Sequence, residues 1–349
     1  MITGLTLKNF TVFANADLEF ADGLNVIAGE NGTGKSHILK VAYAVDAVLA
    51  RGPKETTSTF PTKSYLETAI ANKLRGVLRP EELGRLARRQ RGVNRCDIIA
   101  SFSDGDRIAF SFNTRSTANV TVETTPKQWR EQPPVYLPTR ELLSIFPNFV
   151  AINEQMELPF EETWSDTCRL LERPLAKGRR LDEINDLLRP MERELDGSVL
   201  LEGGRFYIKS EAGKLEVHLV AEGLRKLAMI AQLMANGSLI GRSSLFWDEP
   251  EANLNPKIIK QVARTILQLC RFGVQVFVAT HSLFLMRELE ILLKHEEFAG
   301  TATRFIGLHP RKKSGVRVEQ GKTPYNMGEI VSLHEELSQS DRFMASERS

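Results

Sequence analysis

The sequence predicts an α/β fold in which strands and helices alternate around a mainly parallel sheet. In the last third of the chain, apolar strands at 244–247 and 274–279 each precede a segment with helical periodicity. Near the start, a buried strand at 24–28 leads through a glycine-rich loop into an amphipathic helix at 36–49. Parallel strands joined by helices need cover on both faces, so these units imply a layered α/β core.

The composition is that of an ordinary globular protein. Of its 349 residues 42% are hydrophobic and 26% are charged, and the formal net charge is only +2. This balance gives no global argument for a nucleic-acid partner. Cys96, Cys168 and Cys270 lie far apart without a Cys-x-x-Cys pair. That spacing argues against a cysteine-based zinc site and fits a reducing compartment.

We expect a cytoplasmic protein without a membrane partner. Residues 2–20 alternate polar and apolar side chains, and therefore lack the continuous apolar region of a signal peptide. The longest strongly apolar stretch, 274–286, is interrupted by polar residues and is too short to span a bilayer.

Alternation, helical spacing and turn residues predict the remaining elements. Two antiparallel strands turned around residues 8–10 precede the strand at 24–28, and Gly52-Pro53 is expected to end the first helix. Further helices are predicted at 63–79, 81–91 and 161–195, the last split near Pro174, Gly178 and Pro190. Further strands are predicted at 96–102, 107–112, 120–123, 135–137, 205–208 and 215–219.

The loop Gly29-Glu30-Asn31-Gly32-Thr33-Gly34-Lys35-Ser36 has the spacing Gly-x-x-x-x-Gly-Lys-Ser. Such a loop directs backbone N–H groups toward the β- and γ-phosphates of a nucleotide, and the helix after it presents its positive dipole end. Lys35 adds a cation, and the Ser36 hydroxyl can bind Mg²⁺. The alternative is a flexible Gly/Asn turn. The strand before the loop and the helix after it favour the phosphate-binding interpretation.

Two further motifs end buried strands. The apolar strand at 244–247 closes with Asp248-Glu249, and the next strand closes near His281. In a phosphate-loop enzyme the first carboxylate can hold Mg²⁺ and the second can orient the attacking water. Taken alone, the acidic pair could be a surface strand end, and the histidine could be structural. The order of the three motifs along the chain favours a shared nucleotide site.

These motifs resemble those of the ABC-type ATPases of the SMC/RecF superfamily, and most closely the RecF-like and OLD-like standalone ATPases of bacterial anti-phage defence operons. GENGTGKS is similar to the Walker A loop, SLFWDEPEANLNP to the Walker B motif and D-loop, and VATHS to the switch histidine. YLPTREL and VAEGLRKLAMIAQL stand where the family carries its Q-loop and its signature helix. The resemblance covers residues 2–49 and 222–320.

The resemblance implies a P-loop NTPase fold: an ABC-type ATPase head with an antiparallel N-terminal β-subdomain, inserted helical and β segments, and no long coiled coil. The expected ATPase core comprises residues 1–50, 131–160 and 215–320. An inserted helix/β arm is expected at 51–130, a helical insertion leading into the signature region at 161–214, and a C-terminal helix and tail at 321–349.

The resemblance also implies ATP and Mg²⁺ as cofactors and assigns roles to individual residues. Ser36 and Asp248 would hold Mg²⁺, Glu249 would be the general base or water-orienting group, and His281 would contact the γ-phosphate. The predicted nucleotide-binding residues are Asn31, Gly32, Thr33, Gly34, Lys35, Ser36, His37, Arg140, Glu222, Gly223 and Arg225. Asn253 and Asn255 would lie in a D-loop that contacts a second subunit.

Two positions depart from the family pattern. Ala221 occupies the position of the signature serine, and no glutamine stands in the Q-loop segment, where Arg140 and Glu141 are the nearest polar residues. We therefore expect slow hydrolysis, with ATP binding mattering more than turnover. One Walker A loop and one signature helix in the chain imply a head-to-tail homodimer that closes on two ATP molecules.

Basic clusters in the inserts are candidate nucleic-acid contacts. They are Lys73, Arg75, Arg79, Arg85, Arg88, Arg89, Arg91 and Arg95, then Lys177, Arg179 and Arg180, then Arg311, Lys312 and Lys313. The alternative is a set of solvated helix faces, because no aromatic residues interleave with the basic ones.

Two functions remain open at this point. The first is an ATP-gated scaffold that controls a separately encoded effector, a nuclease or toxin, in anti-phage defence. No Toprim-like acidic cluster follows the ATPase motifs, which fits a separate effector. The second is a RecF-like DNA-repair ATPase that binds DNA directly. A transporter ATPase is a third option, opposed by the RecF-like segment LTLKNFTVF and by the missing Q-loop glutamine.

Overall fold

A computed structural model describes residues 1–89, 91–156, 158–176, 180–311, 315–329 and 331–346. The strands are β1 Ile2–Phe10, β2 Phe13–Glu19, β3 Leu24–Gly29, β4 Arg95–Phe102, β5 Arg107–Asn113, β6 Thr121–Thr124, β7 Val135–Leu137, β8 Ser198–Glu202, β9 Arg205–Ser210, β10 Gly213–Glu216, β11 Ser244–Asp248, β12 Gln275–Thr280, β13 Thr303–Arg311 and β14 Gly315–Gly321. The helices are α1 Lys35–Glu55, α2 Lys63–Leu78, α3 Phe149–Met156, α4 Glu162–Leu171, α5 Arg180–Leu195, α6 Glu222–Ala235, α7 Pro256–Arg271, α8 Leu283–Leu293 and α9 Val331–Ser346.

In the described ranges, eleven strands form one sheet in the order β6-β5-β4-β1-β2-β14-β13-β3-β12-β11-β7. From β13 to β7 neighbouring strands run parallel, and from β13 to β6 they run antiparallel. Strands β8, β9 and β10 form a separate antiparallel sheet. The α/β class with an antiparallel N-terminal β-subdomain is confirmed, and the described residues contain no long coiled coil.

Both faces of the parallel part of the large sheet are covered, and alternation along each of its strands decides which core a side chain joins. On β11, Phe246 packs with α1, whereas Leu245 and Trp247 pack into the core shared with α6 and α7. Phe246 stacks on Phe277 of β12 with ring centroids 4.6 Å apart. These strands read as continuous apolar runs because a parallel strand between two helix layers is buried on both faces.

The predicted arm at 51–130 contributes strands to the same large sheet. β4 pairs with β1 along most of its length, and β5 and β6 extend the sheet beyond it. Helix α2, from the same segment, packs against α1 and α4. The division of the chain into a core and insertions stays a prediction.

Two predicted helix breaks, at Gly52-Pro53 and at Pro190, lie inside helices in the structure. Helix α1 continues through Gly52 and Pro53 to Glu55. Pro53 has no N–H for the carbonyl of Leu49, and the backbone N–H of Arg130 donates to that oxygen instead, at 3.2 Å. The hydrogen bond whose loss normally ends a helix at proline is therefore replaced by this long-range bond. Pro190 likewise lies inside α5, while Gly178 lies outside the described residues.

The predicted helix at 81–91 was wrong, since only a 3₁₀ turn forms at Leu83–Leu86. The backbone that follows is hydrogen-bonded to the β1–β2 turn. Thr11 N donates to Leu86 O at 2.8 Å, and Arg88 N donates to Asn9 O at 2.7 Å. These long-range bonds use backbone N–H and C=O groups that would otherwise form the hydrogen bonds within a helix.

The other differences concern short or unpredicted elements. The β1–β2 turn lies at residues 11–12 and not at 8–10. Strands β8, β13 and β14 and helix α3 were not predicted, and β10 ends at Glu216. None of the helices in the described ranges has both the length and the hydrophobicity that a bilayer crossing requires.

Candidate nucleotide site

The Gly29–Ser36 loop joins the carboxyl end of β3 to the start of α1. Gly32 and Gly34 have φ angles of 80° and 93°, a region that residues with a Cβ rarely adopt. A Cβ on Gly34 would lie 2.7 Å from the Phe13 ring, whereas one on Gly32 would meet nothing within 4 Å. Gly34 is thus required by packing under the loop. Gly32 and the exposed Asn31 leave the outer side of the loop open.

Lys35 is held inside this loop by backbone carbonyls. Its ammonium donates to Gly29 O at 2.8 Å and to Glu30 O at 3.1 Å, and the Thr33 hydroxyl also donates to Glu30 O. Burial lowers the pKa of Lys35, and the nearby carboxylates, Glu249 first among them, oppose that shift. The cation is therefore placed at the centre of the loop, where the incoming phosphates would be bound.

Asp248 ends β11 next to Ser36. Its carboxylate is 8% exposed, and burial raises its pKa, while hydrogen bonds from Ser36 and Tyr136 favour the charged form. The Tyr136 hydroxyl donates to Asp248 Oδ2 at 3.3 Å. A hydroxyl and a carboxylate oxygen beside a phosphate loop form the ligand set that Mg²⁺ uses together with substrate phosphates and water. The donors present therefore fit this ion.

Glu249 and His281 meet because β11 and β12 are parallel and in register, with Asp248 opposite Ala279. Glu249 adopts a φ of 47°, and its backbone N–H donates to Ala279 O at 2.8 Å. This turn directs its carboxylate toward the histidine, and Glu249 Oε1 lies 3.1 Å from His281 Nδ1. Both side chains are partly exposed, so water can reach the pair.

Glu251 lies behind this pair, and the sequence analysis did not identify it. Its carboxylate is 8% exposed and accepts a hydrogen bond of 2.5 Å from Thr280 Oγ1. The segment Asp248-Glu-Pro-Glu has a third acidic residue, and this was the available signal. Because a strand-end acidic residue is common on surfaces, only its burial distinguishes Glu251.

The predicted signature residues contact the D-loop and the β7 loop of their own chain. Glu222 Oε1 accepts from Asn253 Nδ2 at 3.1 Å, and a Cβ on Gly223 would lie 3.0 Å from Leu254. Arg225 Nε lies 2.8 Å from Glu141 Oε1. The start of α6 is thereby tied to two loops at the carboxyl edge of the sheet.

Lys226, the next residue of α6, also contacts the loop at 249–255. It is fully buried, and its ammonium donates to Ala252 O at 2.5 Å. Burial lowers the pKa of Lys226, while several carboxylates, Glu222 first, oppose that shift. Asn255 has a local role, because its Oδ1 caps α7 by accepting from Ile258 N at 3.0 Å.

The surroundings of Arg140 and His37 give little support to the nucleotide-binding roles that were predicted for them. Arg140 is exposed, whereas Glu141 beside it is buried and accepts from the Ser144 backbone and hydroxyl. His37 Nδ1 lies 3.0 Å from Thr11 Oγ1, and burial lowers the pKa of His37. The His37 side chain is thus directed to the β1–β2 turn.

A cavity of about 280 Å³ opens beside Asp248. Lys40 and Glu161 form an ion pair there, and Thr139 completes the polar lining. The structure places these side chains, and not Arg140 or Glu141, next to the carboxylate predicted to bind the metal. The sequence analysis missed them because Glu161 precedes a helix far from the motifs.

The basic residues at 73–95 do not form one continuous patch. Lys73 is buried and paired with Glu162 and Asp166. Arg85 pairs with Glu81, and Arg95 pairs with Asp97 and Glu123. Arg75, Arg79, Arg89, Arg91 and Arg311 are exposed. Lys177, Arg179, Lys312 and Lys313 lie outside the described residues, and so does the side chain of Arg180.

Solved structures of SMC heads share the fold. The SMC head bound to the C-terminal winged-helix domain of ScpA matches with a TM-score of 0.55 at 14% identity, covering 93% of this chain and 99% of that one. An SMC head with an extended coiled coil, bound to a C-terminal ScpA domain derived from Pyrococcus furiosus, matches with a TM-score of 0.51 at 12% identity, covering 100% and 99%. At these identities the likeness shows the fold alone.

A comparison with curated proteins finds no match. A family model described as "AAA domain, putative AbiEii toxin, Type IV TA system" matches residues 99–287, which is more than half of the chain. The matched region includes Asp248, Glu249 and His281, and the loop at 29–36 precedes it. The chain therefore belongs to this AAA family, and it shares the fold of SMC heads.

Proposed function

We propose that the chain binds Mg²⁺-ATP at the Gly29–Ser36 loop, hydrolyses it slowly to ADP and phosphate, and closes as a homodimer while ATP is bound. One observation carries this proposal. The carboxyl ends of β3, β11 and β12 bring Ser36 to Asp248, and Glu249 to within 3.1 Å of His281. Lys35, the two proposed metal ligands and the proposed water-orienting carboxylate therefore lie at one edge of the sheet.

The present contacts of these residues support the following roles. Lys35 would exchange its bonds to Gly29 O and Glu30 O for bonds to phosphate oxygens. Glu249 would orient a water and accept its proton, while His281 would donate to the γ-phosphate oxygen that gains charge. Mg²⁺, when bound through Ser36 and Asp248, would neutralise phosphate charge. Inherently slow turnover is expected because Ala221 offers no hydroxyl at the start of α6.

Dimerisation is inferred from the site's exposure. Gly32 is open to solvent, and the start of α6 contacts the D-loop rather than a second phosphate site in the same chain. Two copies placed head to tail would each cover the other's loop with Glu222, Gly223 and Arg225. ATP would then be bound between the subunits.

A Glu249→Gln variant tests catalysis and dimerisation together. Gln keeps the size of the side chain but cannot take a proton, so hydrolysis should fall by roughly 100-fold or more while ATP still binds. Multi-angle light scattering should then detect an ATP-dependent dimer, and Glu296→Gln, at an exposed position, should behave like the parent. A Glu249→Gln protein that binds ATP and stays monomeric would contradict an ATP site formed between two subunits.

We further propose that ATP occupancy controls a separately encoded effector, a nuclease or toxin, in anti-phage defence. The family description, which refers to a toxin–antitoxin system, supports the defence context, and the SMC head solved with a bound ScpA domain is a precedent for a separate protein partner on this fold. Co-purification of Glu249→Gln with each neighbouring gene product, with and without ATP, tests it. Equal binding with and without ATP would contradict control of the effector by ATP occupancy.

Direct DNA binding is the second candidate, and the exposed Arg89 and Arg91 favour it. The pairing of Arg85 and Arg95 with carboxylates weakens it. Electrophoretic shifts with duplex DNA, for the parent and for Arg89→Glu/Arg91→Glu, distinguish the two candidates. ATP-dependent binding that this charge reversal abolishes would favour the DNA-repair function.

A further inference from the structure

Glu251 makes contacts that the proposed chemistry does not use. Its Oε1 accepts a 2.5 Å bond from the Thr280 hydroxyl and a 3.4 Å bond from the backbone N–H of His281. The same oxygen lies 3.9 Å from His281 Nδ1. One buried carboxylate thus contacts both the main chain of the histidine and the residue before it.

The contacts extend from Glu251 into the next helix. Thr280 Oγ1, which donates to Glu251, accepts from Ser282 N at 3.0 Å. Ser282 in turn caps α8, since its Oγ accepts from Leu285 N at 3.2 Å. The backbone on both sides of His281 is therefore held through one hydroxyl whose orientation Glu251 decides.

Stability alone does not account for a carboxylate at this position. Glu251 Oε2 is buried and has no hydrogen-bond partner among the described residues. An unpaired buried acceptor is destabilising, and burial raises the pKa of Glu251, which means that the charged form is disfavoured here. An apolar side chain would avoid that cost, but it could not accept from the Thr280 hydroxyl or the His281 N–H.

We propose that Glu251 is a positioning residue: it fixes the backbone at Thr280 and His281 so that the His281 ring stays beside Glu249 and the phosphate site. The inference rests on the proposed ATPase function. The ring itself is poorly held, because its side chain is 45% exposed and its carboxylate contacts are the 3.1 Å one to Glu249 and the 3.9 Å one to Glu251. Fixing the backbone therefore restricts the ring in addition to its contact with Glu249.

Steady-state ATP hydrolysis by three variants tests the kinetic consequence. Glu251→Ala should lower kcat by about 10–100-fold, the usual effect of removing a group that orients a functional one, while KM and the Kd for ATP stay within about 2-fold. Glu251→Gln should recover most of kcat, because its amide oxygen can still accept from Thr280 and His281. Glu296→Gln, at an exposed position, should match the parent.

A spectroscopic measurement separates this inference from the proposed function. The chain has 6 histidines, and His281→Ala assigns the ring signals of His281 in ¹H–¹⁵N spectra. Glu251→Ala should move and broaden those signals without ATP, and Glu251→Gln should leave them near their parental positions. Failure of the parent to bind or hydrolyse ATP would remove the proposed function, and the ring signals would still report on positioning.

Three results would overturn the inference: unchanged His281 signals in Glu251→Ala, a parental kcat in that variant, or equal losses in the Gln and Ala variants. Should Glu251→Ala fail to fold, Thr280→Val provides the second test. It removes the hydroxyl that Glu251 holds but keeps the shape of the side chain. The positioning role requires that Thr280→Val also move the His281 signals and lower kcat, and parental values for both would reject it.

Discussion

The Lys35 ammonium donates a 2.8 Å hydrogen bond to the carbonyl oxygen of Gly29, the residue that ends β3. The lysine predicted to bind phosphate is therefore held by its own loop, in a buried position where its pKa is lowered. The backbone carbonyls of Gly29 and Glu30 both accept hydrogen bonds from this ammonium. A phosphate has to compete with them, and the carboxylates of Asp248 and Glu249 bring further electrostatic competition unless a metal neutralises them.

Replacing Lys35 by Ala should weaken ATP binding strongly. A hydrogen bond to a charged group contributes roughly 1.5–3 kcal/mol, which corresponds to about 10–100-fold in Kd. Isothermal titration with Mg²⁺-ATP measures the change, and Lys54→Ala, an exposed position on the same helix, is the matched control. Equal affinities for the parent and Lys35→Ala would remove the phosphate-binding role of the loop.

Asp248→Asn should stabilise the fold at neutral pH while lowering Mg²⁺-dependent hydrolysis by roughly 100-fold or more. Burial raises the pKa of Asp248, so the folded state holds its proton to a higher pH than the unfolded state. Ionisation therefore costs stability as the pH rises from the ordinary carboxyl range through the folded pKa. Asn removes that cost and can still accept from the Tyr136 hydroxyl.

Thermal unfolding in EDTA at pH 7 and at about pH 4 measures this effect. The midpoint of Asp248→Asn should exceed that of the parent at pH 7, and the two should converge at the lower pH. Asp341→Asn, at an exposed position, controls for the loss of one charge. A midpoint for Asp248→Asn below the parental one at pH 7 would show that burial is not the dominant influence on this carboxylate.

A buried ion pair connects α2 with α4. Lys73 and Asp166 are each less than 5% exposed at their side chains, and the Tyr43 hydroxyl also donates to Asp166, at 2.6 Å. Lys73→Met should cost about 3–5 kcal/mol in unfolding free energy, because it leaves the carboxylate buried with less compensation. Urea denaturation measures the loss. Lys63→Met, which breaks the exposed pair with Glu67, should cost less than about 0.5 kcal/mol.

This pair also predicts a pH dependence. Burial alone would raise the pKa of Asp166, but Lys73 and Arg51 more than offset it, so the folded pKa lies below the ordinary value. The contribution of Asp166 is therefore present above the ordinary carboxyl range and is lost as the pH falls through the folded pKa. The difference between the parent and Lys73→Met should shrink on acidification. A constant difference would contradict the ionic origin.

Gly34→Ala should destabilise the fold more than Gly105→Ala does. Both glycines have φ angles near 90°, at 93° and 80°, and each substitution therefore carries a backbone cost of about 1 kcal/mol. A Cβ at Gly34 would also lie 2.7 Å from Phe13, whereas one at Gly105 meets nothing within 4 Å. We expect about 2 kcal/mol or more of additional loss at Gly34. Equal midpoints in urea would show that the Phe13 ring yields.

Much of the candidate site could be predicted from local pattern. Lys35, Ser36, Asp248 and His281 follow short apolar strands, and parallel strands place their carboxyl ends at one edge of the sheet. Glu251 and Glu161 could not be found in this way. Glu251 matters because it is buried and contacts Thr280, and Glu161 matters because it pairs with Lys40. No residue spacing along the chain indicates either contact.

By itself, the sequence determined the α/β class, the phosphate loop and the order of the catalytic candidates, because each depends on residues close together along the chain. Only the tertiary structure decided how segment 81–91 folds, why α1 passes Pro53, and how β4–β6 join the main sheet. In those places a distant backbone donor or acceptor, such as Arg130 N on Leu49 O or Arg88 N on Asn9 O, satisfies a group that local structure would leave unpaired. The free energy of a local secondary-structure preference is smaller than that of satisfying such a buried group, so the long-range contact decides the local structure.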